Sequence, residues 1–181
     1  MTPLSPEAER YREAVDHRRA AVLQQVRKLP IAVLIWGPAP TAGTTAASVR
    51  SQLREELVRN GHLAQFSEEL VDPGSPFGLQ IQQLSHVEAY DIVFSIPDSP
   101  GSIAEIHDFA KTPHLAHKII AFLNQNWNSG YSNQTLLELQ SRITCAVELY
   151  DPANLPVCVI SKALELVQRL QEIYYHLGRR P

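Results

Sequence analysis

The sequence predicts a three-layer, doubly wound α/β fold on a five-stranded parallel sheet, with an extra N-terminal helix and a long C-terminal helix. Three observations predict it. Short, continuously apolar runs bounded by Pro, Gly or Asp recur along the chain, and such runs read as strands buried on both faces. Stretches with apolar residues at helical spacing lie between them, so strands and helices alternate. At 181 residues, with 44% hydrophobic and 19% charged side chains, the chain has the length and composition for one core of this kind.

The elements follow in order. In "LSPEAERYREAVDHRRAAVLQQVRKLP", Ser5 is placed as an N-cap and Pro6 at the first helical position. Tyr11, Val15, Val22, Val26 and Leu29 then recur at helical spacing until Pro30 stops the helix. Residues 1–30 are thus a helical extension, and 31–181 a single α/β domain. "IAVLIWG", Ile31 to Gly37, is the central strand. After "GPAPTAGTT" the stripe Val49, Leu53, Leu57 is closed by Asn60-Gly61, and "HLAQF" forms the second strand. Leu79, Leu84 and Val87 mark a helix ahead of "DIVFSIP", the third strand. A short helix over "GSIAEIHDFAKTP" precedes "KIIAFLN", the fourth, and a helix near "TLLELQSR" precedes "ITCAVELY", the fifth. The longest amphipathic stripe closes the chain through Leu155, Val157, Ile160, Leu164, Val167, Leu170, Tyr174 and Leu177. Right-handed crossovers place helices on both faces, and the expected strand order is 2-1-3-4-5, a flavodoxin- or Rossmann-like arrangement. "VDPGSPFG" reads as a surface loop.

A net charge of −3 creates no field favouring nucleic acid or an anionic membrane, despite locally basic pairs such as Arg18-Arg19. The longest apolar runs fall far short of the roughly 20 residues that span a bilayer. The first thirty residues are rich in Arg and Glu and lack an apolar signal core, so a cytoplasmic protein is expected. Cys145 and Cys158 have no CxxC spacing and read as reduced core residues. His107, His114 and His117 straddle Thr112-Pro113, cannot share one helical face, and so imply no metal.

In a doubly wound sheet ligands sit beyond the carboxyl ends of the strands, where the strand order reverses. That rule selects "GPAPTAGTT", "SEEL", "PDSPGSIAE", "NQNWNSGYSN" and "DPAN". The first is not a Walker loop: five residues separate Gly37 from Gly43, and Thr44 stands where Lys would be. Its helix start can still face an anion or a ribose, with Gly37 and Thr44 as binding residues, or the loop simply caps its helix. In "IPDSPGSIAEIHDFA", Gly101 permits close backbone approach, Ser102 caps the next helix, and Glu105 falls in its first turn. Ser-x-x-Glu is also a capping box, so Glu105 either reaches back to Ser102 or faces the crevice. Asp98 lies just upstream, and Glu68 and Glu69 are expected to converge on the same space.

An Asp at a strand end followed by Gly-Ser-x-x-Glu-hydrophobic resembles the nucleoside 2-deoxyribosyltransferases. It is similar also to their relatives, the SLOG and TIR-like domains of nucleotide signalling and bacterial defence. The resemblance covers residues 31–149. It implies that Glu105 attacks the anomeric carbon of a sugar, and that Asp91 or Asp98 protonates the leaving base or holds the sugar. Pro100 before Gly101, and His107 in place of a second glycine, bring the motif nearer the SLOG-like form, some members of which bind or cleave NAD-derived nucleotides.

The expected ligand is therefore a nucleoside or nucleotide, NAD included, with no cofactor, in a homo-oligomer or a larger complex. The alternative is a non-catalytic nucleotide-sensing module of the same fold. Breaking an N-glycosidic bond passes through an oxocarbenium-like state that a carboxylate stabilises while an acid protonates the base. Glu69 or Asp98, raised by neighbouring carboxylates, would be that acid, with Glu68 a further candidate. Asn124 and Asn126 suit ribose hydroxyls or base edges, or an ordinary turn. Trp36 or Trp127 would stack on a base, or pack in the core.

Overall fold

Strands that are apolar on both faces need a helical layer on each side. The computed structural model, which describes residues 5–98, 106, 109, 112–126 and 146–179, has this form. The strands are β1 (Ala32–Trp36), β2 (Leu63–Phe66), β3 (Ile92–Ser95), β4 (Ile119–Asn124) and β5 (Ala146–Tyr150). All pair in parallel, in the expected order β2-β1-β3-β4-β5. The described helices are α1 (Pro6–Arg27), α2 (Thr45–Arg59), α3 (Leu79–Ala89), α4 (Pro113–Ala116) and α5 (Val157–His176). They belong to two compact units, 31–165 and 1–30 with 166–181. Most of the helix expected over 101–113, the helix near 135–142 and Cys145 lie outside the described residues.

Register assigns the faces of the sheet in unit 31–165. Leu34 stands opposite Val93, and Val93 opposite Ile119. Their face packs with Val87 of α3, Tyr90, Ile106, Phe109, and Leu115 and Ala116 of α4. On the other face the Phe66 ring lies 4.1 Å from the Arg50 guanidinium and 4.7 Å from that of Arg54, both on α2. Glu148 of β5 pairs there with Lys162 of α5 at 3.5 Å. The two helical layers therefore follow from strand alternation alone.

Local chemistry sets the helix ends. The Thr44 hydroxyl accepts the Ala47 N–H at 3.2 Å and starts α2. Gly61, at φ +86°, ends it as its N–H reaches the Val58 carbonyl at 3.0 Å. The α4 turn was not expected, because Pro113 reads as a stop; Pro at a first helical position also opens a turn, with Thr112 as its cap. Along α5 the most buried line runs through Val159, Ala163, Val167 and Gln171; of the expected stripe Val167 lies on it, whereas Val157 and Leu177 are exposed. Gln171 is buried because its Nε2 donates to the Leu29 carbonyl at 2.7 Å and the Arg27 carbonyl at 3.1 Å. In α1 the expected stripe is buried at Val26, with Leu29 just beyond, whereas Tyr11 and Val22 are exposed. Among the described residues no helix is long and apolar enough to cross a membrane.

Two histidines tie this fold to pH. The Nδ1 of His62 accepts the N–H of Ile31 at 3.4 Å, and burial holds the ring below its ordinary value of 6.5. Burial also lowers His86, with a backbone interaction at Leu70 partly opposing it. Because the unfolded chain takes up these protons first, their contribution is full above about pH 6.5 and is lost as pH falls through the folded values. Urea midpoints at pH 7.5 and pH 5 are expected to show the lower stability at pH 5, less so in His62→Gln; equal midpoints would contradict this.

Candidate functional site

The exit of β1 is crowded. A Cβ on Gly37, which sits at φ +146°, would lie 2.7 Å from the Ile96 carbonyl oxygen and 3.3 Å from Cδ of Arg50. Glycine is required there for the exits of β1 and β3 to pass each other, and Gly37 does not line the cleft described next.

Beyond the carboxyl ends of the strands lies a cleft of about 360 Å³. The start of α2 contributes Thr44, Thr45 and Ala46; the exit of β3 contributes Pro97 and Asp98. Asn124 enters from the end of β4, and Tyr150, Pro152 and Leu155 from β5 and the turn after it. Asn124 and Tyr150 are register partners, so β4 and β5 present them at one level. The Thr44 hydroxyl donates to Oδ2 of Asp98 at 3.3 Å while also capping α2. Of the expected residues, Thr44, Asp98 and Asn124 thus come together. Asn126 is exposed, and its N–H donates to Oδ1 of Asn124 at 2.9 Å.

Tyr150 keeps its phenolic proton: burial raises its pKa first, with electrostatic contributions from Cys158 and Asp98 adding to the shift. Cys158 is a half-buried free thiol, its Sγ 3.6 Å from the Asp151 carbonyl oxygen. Asp151 caps its own turn, accepting the Ala153 N–H at 2.9 Å.

Glu68 and Glu69 lie elsewhere. The Arg50 guanidinium, wholly buried, donates to both oxygens of Glu68 at 2.8 and 2.6 Å. It also donates to the carbonyls of Ile35 at 2.7 Å and Pro38 at 2.9 Å. Burial alone would raise the Glu68 carboxyl; hydrogen bonds and charge from Arg50, with its own backbone N–H and the Ser67 hydroxyl, hold it below the usual range. Glu69 pairs with Arg54 at 2.5 Å and accepts the Phe66 N–H at 3.3 Å. Neither carboxylate lines the cleft, where the sequence placed them. The reason is α2, whose Arg50 and Arg54 reach the loop after β2.

The structure also separates Asp91 from Asp98. Asp91 accepts the N–H of Ala32 at 2.8 Å at the start of β3, on the opposite edge of a parallel sheet from the strand exits. Trp36 is a core residue, its ring 5.1 Å from that of Phe109. Gly101, Ser102, Glu105, His107 and Trp127 lie outside the described residues. Among the described residues, no cluster of His, Cys, Asp or Glu has the makings of a metal site.

Sequence reasoning missed Tyr150 and Arg50. Tyr150 closes an apolar strand and reads as core, although its place just before "DPAN" at a strand exit was a usable signal. Arg50 lies on the buried stripe Ala46, Arg50, Leu53, Leu57, and a charge on that line was the signal for a paired, buried cation.

Fold and cleft together define the class: a doubly wound, all-parallel α/β protein with a ligand-sized cleft at the carboxyl edge of its sheet. No protein-family model matches the chain, and no curated protein matches it.

Proposed function

We propose that the chain binds a nucleoside or nucleotide in this cleft and breaks its N-glycosidic bond, with Glu105 as the carboxylate beneath the sugar. The resemblance to nucleoside 2-deoxyribosyltransferases and SLOG or TIR-like domains supports the chemistry. One observation carries the placement: Asp98, seven residues before Glu105 in the sequence, meets the Thr44 hydroxyl at 3.3 Å inside a cleft beyond the strand exits.

Asp98, Tyr150 and Leu155 each have a role in this reading. Asp98 already accepts one hydroxyl, which suits it to accept those of a sugar. Tyr150 is the protonated donor on the wall, able to hydrogen-bond a departing base, and its ring with Leu155 offers that base an apolar surface. As the bond from the anomeric carbon to the base nitrogen breaks, its electron pair leaves with the base, which takes up a proton. The positive charge left on the sugar is met by the Glu105 carboxylate, and water or a second base then completes hydrolysis or transfer.

A second reading, recognition without turnover, is favoured by the arginine pairing of Glu68 and Glu69. It leaves Asp98 as the carboxylate among the described cleft residues. Incubation with nucleosides, deoxynucleosides and NAD, followed by chromatography for free base, decides between the two. Released base supports cleavage; binding without release supports recognition and rules cleavage out.

A further inference from the structure

We infer that the cleft takes an unphosphorylated nucleoside in preference to its nucleotide, with Asp98 as the residue that turns phosphate away. This rests on reading the cleft as a nucleoside or nucleotide site. The start of a fifteen-residue helix, α2, lines the cleft through Thr44, Thr45 and Ala46. A phosphate would ordinarily be drawn to such a place by the unpaired N–H groups and the positive end of the helix.

Here the chain brings its own anion to that end. Oδ2 of Asp98 accepts the hydroxyl of Thr44, the N-cap residue itself, at 3.3 Å. A phosphate placed against Thr45 and Ala46 would therefore stand beside a carboxylate of like charge. A sugar hydroxyl meets the opposite situation, because a carboxylate oxygen is the acceptor it needs.

The charge of the surrounding segments points the same way. Those leaving the five strands, 37–45, 67–70, 96–105, 124–133 and 151–155, carry as charged residues Glu68, Glu69, Asp98, Glu105 and Asp151. Arg50 and Arg54 on α2 neutralise the first two at 2.6 and 2.5 Å. Among the described residues that line the cleft the charge is that of Asp98 alone, which favours neutral over doubly charged ligands.

Calorimetric titration with adenosine, guanosine, cytidine and thymidine, each beside its 5′-monophosphate, tests this on the intact protein. Wherever a pair binds, the nucleoside is expected to bind about tenfold or more tightly than its monophosphate, as like charges in contact require. In Asp98→Asn, whose amide still pairs with Thr44, that ratio is expected to shrink to within about threefold. Monophosphates binding as tightly as nucleosides to the wild-type protein would overturn the inference while leaving the nucleotide-site reading intact. An undiminished ratio in Asp98→Asn would overturn the role of Asp98. Absence of binding by both members of every pair would overturn the site reading and the inference with it.

Discussion

Arg50→Met is expected to lower the stability of the protein by about 2–4 kcal/mol, and to do so through two backbone carbonyls more than through the ion pair. Methionine keeps most of the side-chain volume and removes a buried charge, which by itself would favour the variant. Against this, the carbonyls of Ile35 and Pro38 lose their guanidinium donors at 2.7 and 2.9 Å, at the exit of the central strand. Each unsatisfied acceptor costs about 1–3 kcal/mol. The Glu68 side chain is 46% exposed, so once released it is resolvated and its lost pairing counts for little. Glu68→Gln should therefore cost less than Arg50→Met, since the amide oxygen still accepts from Arg50 and the carbonyl bonds stay. Urea unfolding of both variants reads the order. If Glu68→Gln proved the more damaging, the buried charge and not the carbonyls would control this corner.

Glu105→Gln is expected to reduce the rate of base release by about 10²–10⁴-fold, with little change in stability. The choice of glutamine separates the two readings of Ser102-x-x-Glu105. In a capping box Gln serves nearly as well as Glu, so a Glu105 that only reached back to Ser102 would leave both stability and turnover unchanged. A Glu105 that meets the oxocarbenium charge cannot be replaced by a neutral amide, because charge is what the transition state requires. Loss of turnover with an unfolding midpoint close to wild type is the expected pair of results. Turnover within a few-fold of wild type would remove Glu105 from the chemistry.

The sheet was legible because parallel strands buried on both faces write themselves as unbroken apolar runs. The order of strands followed from the flavodoxin-like doubly wound pattern, and the first turn of α2 from a threonine in a capping position. Thr44, Asp98 and Asn124 could be assigned to one cleft because each ends or follows a strand on the same edge, a matter of topology alone. Asp91 shows the limit of residue type: it is an aspartate like Asp98 and six residues from the strand exit at Pro97, yet it begins the strand and so lies at the other edge. Glu68 and Glu69 were misplaced for a different reason. Their position was set by partners fifteen or more residues away on α2, and only a folded structure brings Arg50 and Arg54 against them. The α5 helix carries the same lesson in milder form, since the buried line runs through an alanine and a glutamine outside the expected apolar stripe.

The central claim is that a nucleoside or nucleotide lies between the start of α2, the exit of β3 and the ends of β4 and β5. Amide chemical-shift mapping during titration with the nucleosides above tests it most directly. The largest shifts are predicted at Thr45, Ala46, Asp98, Asn124 and Tyr150, with α1 silent. Shifts concentrated on α1, or at Glu68 and Glu69 with the cleft residues unmoved, would contradict the account.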